Sequence, residues 1–203
     1  MGITSSAPGR RTRTPSADVE RELLAAAEAV LVEEGPGGLT VRAVAARAGI
    51  APMGVYNRLG GKDGLVDALL IRGFDRLRAA VEPGSQRDML ERLRSCSMRY
   101  REFALSNRQF YAIMFEGAIP HNRDSAEVAE HAAAAFGTLV RSVETAAAAG
   151  AISAETPREV AQQVWSSLHG AVALELNDLV LTPDPETTYR AMVDTLLRGL
   201  ARP

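Results

Sequence analysis

Between Leu39 and Leu65 the chain reads L-T-V-R-A-V-A-A-R-A-G-I-A-P-M-G-V-Y-N-R-L-G-G-K-D-G-L. Among its polar members, Thr40, Arg42, Tyr56, Asn57, Arg58 and Lys62 form no nucleophile–base pair and no metal-ligand set. They are hydrogen-bond donors at short spacing, a chemistry suited to phosphate oxygens and base edges. Lys62 is the only lysine of the chain. A cation at the start of a helix opposes the helix dipole, and a phosphate nearby would compensate; a solvated lysine is the plainer alternative. Reactive groups are sparse elsewhere. His121 and His131 stand ten apart, which is no recognised metal spacing. Cys96, the single cysteine, sits on an apolar stripe and reads as a small buried hydrophobe. No phosphate-binding glycine loop, dinucleotide fingerprint or paired-histidine motif appears. The expectation is a protein that is not an enzyme and needs no metal or cofactor.

Two short helices around a tight turn would position those donors. Thr40 is a suitable N-cap for a helix carrying Val41, Val44, Ala45 and Ala48, and Gly49 ends it. Pro52 opens a second short helix that reaches Leu59 and stops at Gly60-Gly61. Val44, Ala45, Ile50 and Val55 would brace the pair into a helix-turn-helix, whose second helix projects into the major groove of DNA. From the start of the first, Thr40 and Arg42 would reach the DNA backbone, capping being the plainer role for Thr40.

The flanking periodicity is helical throughout. A helix from Ser16 puts Val19, Leu23, Ala27, Val30 and Leu31 on one stripe and breaks at Gly35-Pro36-Gly37-Gly38. Asp63 begins a long amphipathic run through Leu65, Leu69, Phe74 and Leu77 to Val81, stopped by Pro83-Gly84. Further helices are expected from Met89 through Phe103, from Asn107 to Glu116, and from Asp124 to Ala149. The most apolar runs from Val160 to about Leu181, Pro183 and Pro185 break it, and Tyr189 to Leu200 forms the last. Nothing alternates with period two, so the predicted fold is all-α. The expected division is a flexible basic arm over 1–15, a DNA-binding domain over 16–62 and a helical bundle over 63–203.

Composition is that of an ordinary globular chain: 203 residues, 46% hydrophobic, 24% charged, net charge −2. A strongly basic nucleic-acid tail is excluded, but residues 1–80 carry 11 basic against 9 acidic side chains while the remainder carries 12 against 16. Arg10, Arg11 and Arg13 concentrate the excess; contact with phosphates or the minor groove, or a solvated tail, are both open. No signal peptide and no membrane-spanning stretch is read, so the expected location is the cytoplasm.

In order, the amphipathic first helix with its glycine-rich break, Leu-Thr-Val-Arg-x-Val-Ala, Ala-Gly-Ile, Val-Tyr-Asn-Arg-Leu and Gly-Lys-Asp-Gly-Leu resemble the tetracycline-repressor-like (TetR) family of bacterial transcriptional regulators over about residues 17–70. The resemblance implies an N-terminal three-helix DNA-binding domain and a C-terminal ligand-binding and dimerisation bundle. Tyr56 and Lys62 resemble the family's phosphate-contacting pair, and Pro52, Met53, Gly54, Asn57 and Arg58 take its DNA-facing positions. Trp165-Ser-Ser-Leu-His-Gly170, with Arg108-x-Phe-Tyr-x-x-Met-Phe115, resembles a WHG-type C-terminal subtype. Ala51 departs from a frequent Ser or Thr cap, Met53 and Gly54 from a frequent Gly and Thr, and Leu59 from a common aromatic.

The resemblance implies a pocket, for which Phe103, Phe110, Tyr111, Met114, Phe115, Phe136, Trp165 and His169 are the candidates; aromatics at helical spacing read equally as plain core. Phe74 and Leu77 are expected beneath it. Dimerisation is expected through 160–181 and 189–200, which read as apolar on more than one face. The resulting expectation is a homodimeric repressor on an inverted-repeat DNA operator, released by a small-molecule effector. A DNA binder of the same fold without an inducer, and an activator, stay open as alternatives.

Overall fold

A computed structural model describes residues 16–119 and 125–201, which form nine helices and, beyond an isolated Ile152–Ala201 bridge, no strand. Arg10, Arg11, Arg13 and His121, and the 1–15 arm, lie outside the described residues. The first helix, α1 (Ser16–Gly38), takes a non-helical turn at Gly35, whose φ of 72° places it in the left-handed region before Pro36. α2 (Val41–Arg47) starts at Thr40, whose hydroxyl accepts the Ala43 N–H at 3.1 Å. Gly49, at φ 66°, closes α2 as the left-handed residue of a Schellman motif, with Ile50 N–H on the Ala45 carbonyl. Ala51 provides no side-chain cap for α3 (Pro52–Leu59), and Pro52 occupies its first turn. Leu23, Ala27, Leu31, Leu39, Val44, Ala45 and Val55 are buried together, so three short elements share one small core.

α4 (Lys62–Ala80) begins one residue before the sequence expectation and joins this core to the rest. Leu65 and Leu69 are fully buried in it, while Phe74 and Leu77 are buried further along. Glu28 of α1 pairs with Arg72 and, at 2.7 Å, with Arg76 of α4. The bundle adds α5 (Met89–Ser106), α6 (Arg108–Phe115), α7 (Ala126–Ala148), α8 (Pro157–Leu176) and α9 (Pro185–Leu200). Asp88, Ser125 and Asp184 cap α5, α7 and α9 through side-chain oxygens.

Three expectations about the last helices need correction. α8 ends at Leu176 rather than near Leu181, because Asp178 takes a left-handed φ of 56° and completes a second Schellman motif, Leu179 N–H on the Leu174 carbonyl. Arg108 also donates to the Leu176 carbonyl at 2.6 Å, satisfying an orphan group of that end. Pro185 opens α9 instead of merely breaking α8. Nor is α8 apolar on more than one face: Val164, Leu168 and Val172 point inward, and Gln162, Gln163, Ser166 and Gly170 outward. Exposed apolar residues are confined to its end, Leu174, Leu179 and Leu181.

Candidate functional site

The structure builds two candidate sites at opposite ends of α4. At the first, Val55 turns inward at 0% exposure, so the rest of α3 faces out. Pro52, Met53, Tyr56, Asn57 and Arg58 are exposed, and Gly54 is half-buried. Met53 and Tyr56 remain 65% and 54% exposed. Gly61 is buried beneath Tyr56; a Cβ there would meet the ring at 2.8 Å. The ring therefore lies on the backbone at Gly61, next in the chain to exposed Lys62. Thr40 and Arg42 are exposed at the start of α2. Arg47, in contrast, is held by Glu33 through contacts of 2.5 and 2.6 Å and is not free to serve the same surface.

Two glycines set the aim of this surface. A Cβ on Gly64 would stand 1.6 Å from the Leu59 carbonyl oxygen, a backbone atom that cannot move aside. The end of α3 thus seats on the first turn of α4 only because residue 64 has no side chain. A Cβ on Gly54 would meet the Ile50 side chain at 2.8 Å, so glycine there keeps α3 close against the turn.

The second site is a cavity of about 170 Å³ inside the bundle. Phe74 and Leu77 of α4 form its floor, Cys96, Ser97 and Tyr100 come from α5, Phe115 from α6, Phe136, Leu139 and Ser142 from α7, and Trp165 and Leu168 from α8. Phe74, Phe115, Trp165 and Phe136 follow one another at ring-centroid separations of 5.9, 6.2 and 6.0 Å. Behind them, the hydroxyls of Tyr100 and Tyr111 reach Nδ1 of His169 at 3.0 and 2.8 Å. The two hydroxyls and Nδ1 thus form one hydrogen-bonded cluster, in which the ring tautomer sets the donor and acceptor roles. Burial pushes His169 below its ordinary value and outweighs the opposing pull of Glu116, so the ring is held neutral. Burial raises Tyr111 and Tyr100 as well; in Tyr100 it exceeds the contrary effect of hydrogen bonds from Tyr111 and Trp165.

Of the pocket candidates, Phe115, Phe136 and Trp165 face the cavity, and Phe103, Phe110, Tyr111, Met114 and His169 do not belong to its wall. Phe110 and Met114 instead close over Gly73 of α4, where a Cβ would meet the Met114 sulfur at 2.7 Å. Phe110 also carries the Arg76 guanidinium over its ring at 5.1 Å. Tyr111 and His169 form the polar layer behind the wall. Tyr100, Ser97 and Ser142 were missed. Tyr100 does lie on the Met89–Phe103 stripe, and a polar-tipped aromatic among aliphatics was the signal available. Ala171, on the same helix as Trp165, stands outside the wall; Ala132 and Ala135 of α7 lie in it.

Three side-chain contacts tie α4 to its surroundings: the pairs of Glu28 with Arg72 and Arg76 toward α1, and a hydrogen bond between His131 Nδ1 and Asp75 at 2.8 Å toward α7. No group of metal-ligating side chains is present among the described residues.

Comparison with known proteins places both halves. Residues 23–69 match the family described as bacterial regulatory proteins of the tetR family, and residues 93–196 match the tetracyclin repressor-like C-terminal domain. A solved structure of a protein of unknown function from Rhodococcus sp. RHA1 superposes with TM-score 0.80 at 29% identity, covering 95% of this chain and 98% of that one. A TetR-family transcriptional regulator from Pectobacterium atrosepticum superposes with TM-score 0.70 at 22% identity, covering 95% and 99%. A tetR-family regulatory protein from Rhodococcus RHA1 gives 0.65 at 21%, covering 91% and 98%. A search of curated proteins found no match.

Proposed function

Because the chain belongs to the TetR family of DNA-binding transcriptional regulators, we propose that it is a homodimeric repressor released from an inverted-repeat operator by a small molecule bound in the bundle cavity. Residues 16–62 read the DNA, residues 63–203 bind the effector and dimerise, and the basic 1–15 segment adds phosphate contacts. Its place of work is the bacterial cytoplasm, and no helix among the described residues is long and apolar enough to cross a membrane. The dimer forms through the outer faces of α8 and α9, where Leu174 is exposed and Met192 and Leu196 are half-buried. Two recognition helices related by its two-fold axis would meet successive major grooves about 34 Å apart.

On the DNA, Tyr56, Lys62, Thr40 and Arg42 hold phosphates, and Pro52, Met53, Gly54, Asn57 and Arg58 face the bases. Asn57 and Arg58 are the side chains with donors for base edges, Asn suiting adenine and Arg guanine.

The observation that carries the release mechanism is that α4 serves both sites. Its first residue, Lys62, stands on the DNA-facing surface, and Phe74 and Leu77, three turns on, floor the cavity. A ligand that fits one packing of the floor displaces α4, and Gly64 passes that displacement to the end of α3. DNA accepts one separation of the two helices, so ligand and DNA compete through conformation, with a coupling of about 1–3 kcal/mol. The test is a substitution that fills the cavity from within, Ala132→Phe. An operator is first selected from random duplexes by the wild-type protein. The folded variant should bind it roughly 5- to 150-fold differently from wild type. Unchanged operator affinity would leave a DNA-binding protein whose bundle only dimerises.

A further inference from the structure

We propose that the cavity selects a compact, uncharged, largely apolar molecule bearing a hydrogen-bond donor, such as a hydroxyl or a ring N–H, and refuses anions of the same size. The proposal rests on reading the cavity as the effector site and adds the chemical class of the effector.

The argument begins with what the wall lacks. None of its side chains is charged. An anion entering it would lose its hydration without meeting a cation, which is the costly case of burial.

The wall's polar groups are few, and their protons are already committed. Ser97 donates to the Leu93 carbonyl at 2.8 Å, and Ser142 to the Thr138 carbonyl at 2.9 Å. The Tyr100 hydroxyl is engaged with Nδ1 of His169 at 3.0 Å, in the polar layer behind the wall. Each serine oxygen keeps a lone pair after its proton is spent. Toward the cavity, the two serine hydroxyls therefore offer acceptors and no donor. Cys96 does not alter this: burial keeps it a neutral thiol, a weak hydrogen-bonding group. A ligand carrying only acceptors would bury them unpaired, and a donor would be satisfied.

The remaining wall is aromatic and aliphatic, with Phe74, Phe115, Phe136, Leu139 and Leu168. Ring faces attract cations, but the wall has no carboxylate to compensate an ammonium for its lost water. The neutral donor is thus preferred over both ions. Size sets the rest: at about 170 Å³ the cavity is in the range where an engineered apolar cavity of roughly 150 Å³ takes up benzene.

Trp165 is the chain's only tryptophan and lies in the wall, so its emission reports occupancy directly. The DNA-free wild-type protein is titrated with phenol, toluene, benzoate and phenyltrimethylammonium, exciting Trp165 beyond the phenol absorption band. Phenol should bind about three- to tenfold more tightly than toluene, the factor of one hydrogen bond. Benzoate and the ammonium should leave the emission unchanged at the concentrations that saturate phenol. Ser142→Ala and Ser97→Ala remove acceptors one at a time, and one of them should bring phenol down to the affinity of toluene. Each sacrifices only a bond to its own helix, so the fold is kept. Phenol no tighter than toluene, either ion equal to phenol, or no probe changing the emission would each overturn the proposal. The effector reading fails separately, in the operator-binding experiment with Ala132→Phe, which does not depend on the ranking of probes.

Discussion

Apart from the basic 1–15 segment, the candidate DNA-contacting residues lie between Thr40 and Lys62, whereas the cavity wall draws on residues from Phe74 to Leu168. The first surface is made by one buried residue, Val55, and by what is left over on a helix of two turns once that residue points inward. The second is made by five helices meeting around a volume that none of them fills. At the first site the candidate residues are exposed, Met53 and Tyr56 staying in solvent despite their size. The bundle instead holds an unfilled interior, and the candidate residues there have neighbours on every other side. The polar chemistry differs in the same sense. Donors on the head are free for phosphates and bases, and those in the cavity wall are spent on the protein itself.

The largest effect that would test this contrast concerns α9. Leu197 is 5% exposed and belongs to the chain's own core, while Leu196, its neighbour, is half-buried. Leu197→Asp should leave no cooperatively folded protein, because an unpaired carboxylate would be buried. Leu196→Asp should fold and sediment as a monomer. A folded Leu196→Asp dimer would remove α9 from the proposed interface.

Next in size are the two glycines of α4. Gly64→Ala drives a Cβ into a backbone oxygen of the recognition helix and should cost upwards of about 3 kcal/mol, with loss of DNA binding. Gly73→Ala meets the Met114 and Phe110 side chains, which can yield, and should cost about 1 kcal/mol or less. Thermal unfolding and DNA-binding titrations of the pair decide it. Equal effects would mean that the α3–α4 seat is not the rigid joint described here.

A third set separates phosphate contacts from base contacts. Lys62→Ala should weaken specific and non-specific DNA binding alike and flatten the log–log salt dependence by about one unit. Asn57→Ala or Arg58→Ala should cost about 1–3 kcal/mol at one base pair and relax preference there. Binding-site selection with each variant shows which applies, and an unchanged logo for both would place base reading elsewhere on α3.

The smallest effect belongs to the polar layer behind the cavity. Burial lowers the folded His169 below the ordinary histidine value of 6.5, so the unfolded chain takes up a proton first as pH falls. Stability should therefore decline from about pH 6.5 down to the lowered folded value, and this group should contribute no slope above that window. His169→Gln should flatten that part of the stability–pH curve. An identical slope in the variant would mean that the ring is freely protonated in the fold.

The head was readable because its determinants are local. A cap at Thr40, left-handed glycines at 49 and 60, proline at the first turn of α3 and a helical period act within a few residues of one another. Helix ends in the bundle were less readable where the chain used an uncommon residue for a common geometry. Asp178 in the left-handed conformation ended α8 five residues earlier than the apolar run suggested. The reading of the cavity was weakest. Phe115, Phe136 and Trp165 stand out by their bulk and by the family resemblance, but so do Phe110 and Met114, which cover Gly73 instead.

By itself the sequence determined the helical class, the helix-turn-helix and its family, and the residues exposed on the recognition helix. The family follows from the resemblance of its motifs, and the others from periodicity and capping, which are interactions between residues a turn or two apart. Tertiary structure alone decided which aromatics surround the cavity, that Tyr100, Tyr111 and His169 share one hydrogen-bonded layer, and that α4 touches both sites. Those outcomes depend on how rigid helices cross, since a crossing brings together residues about 60 to 70 positions apart, such as Tyr100 with His169. Local propensity carries no information about such meetings, because the same amphipathic stripe packs equally well against any partner of matching shape.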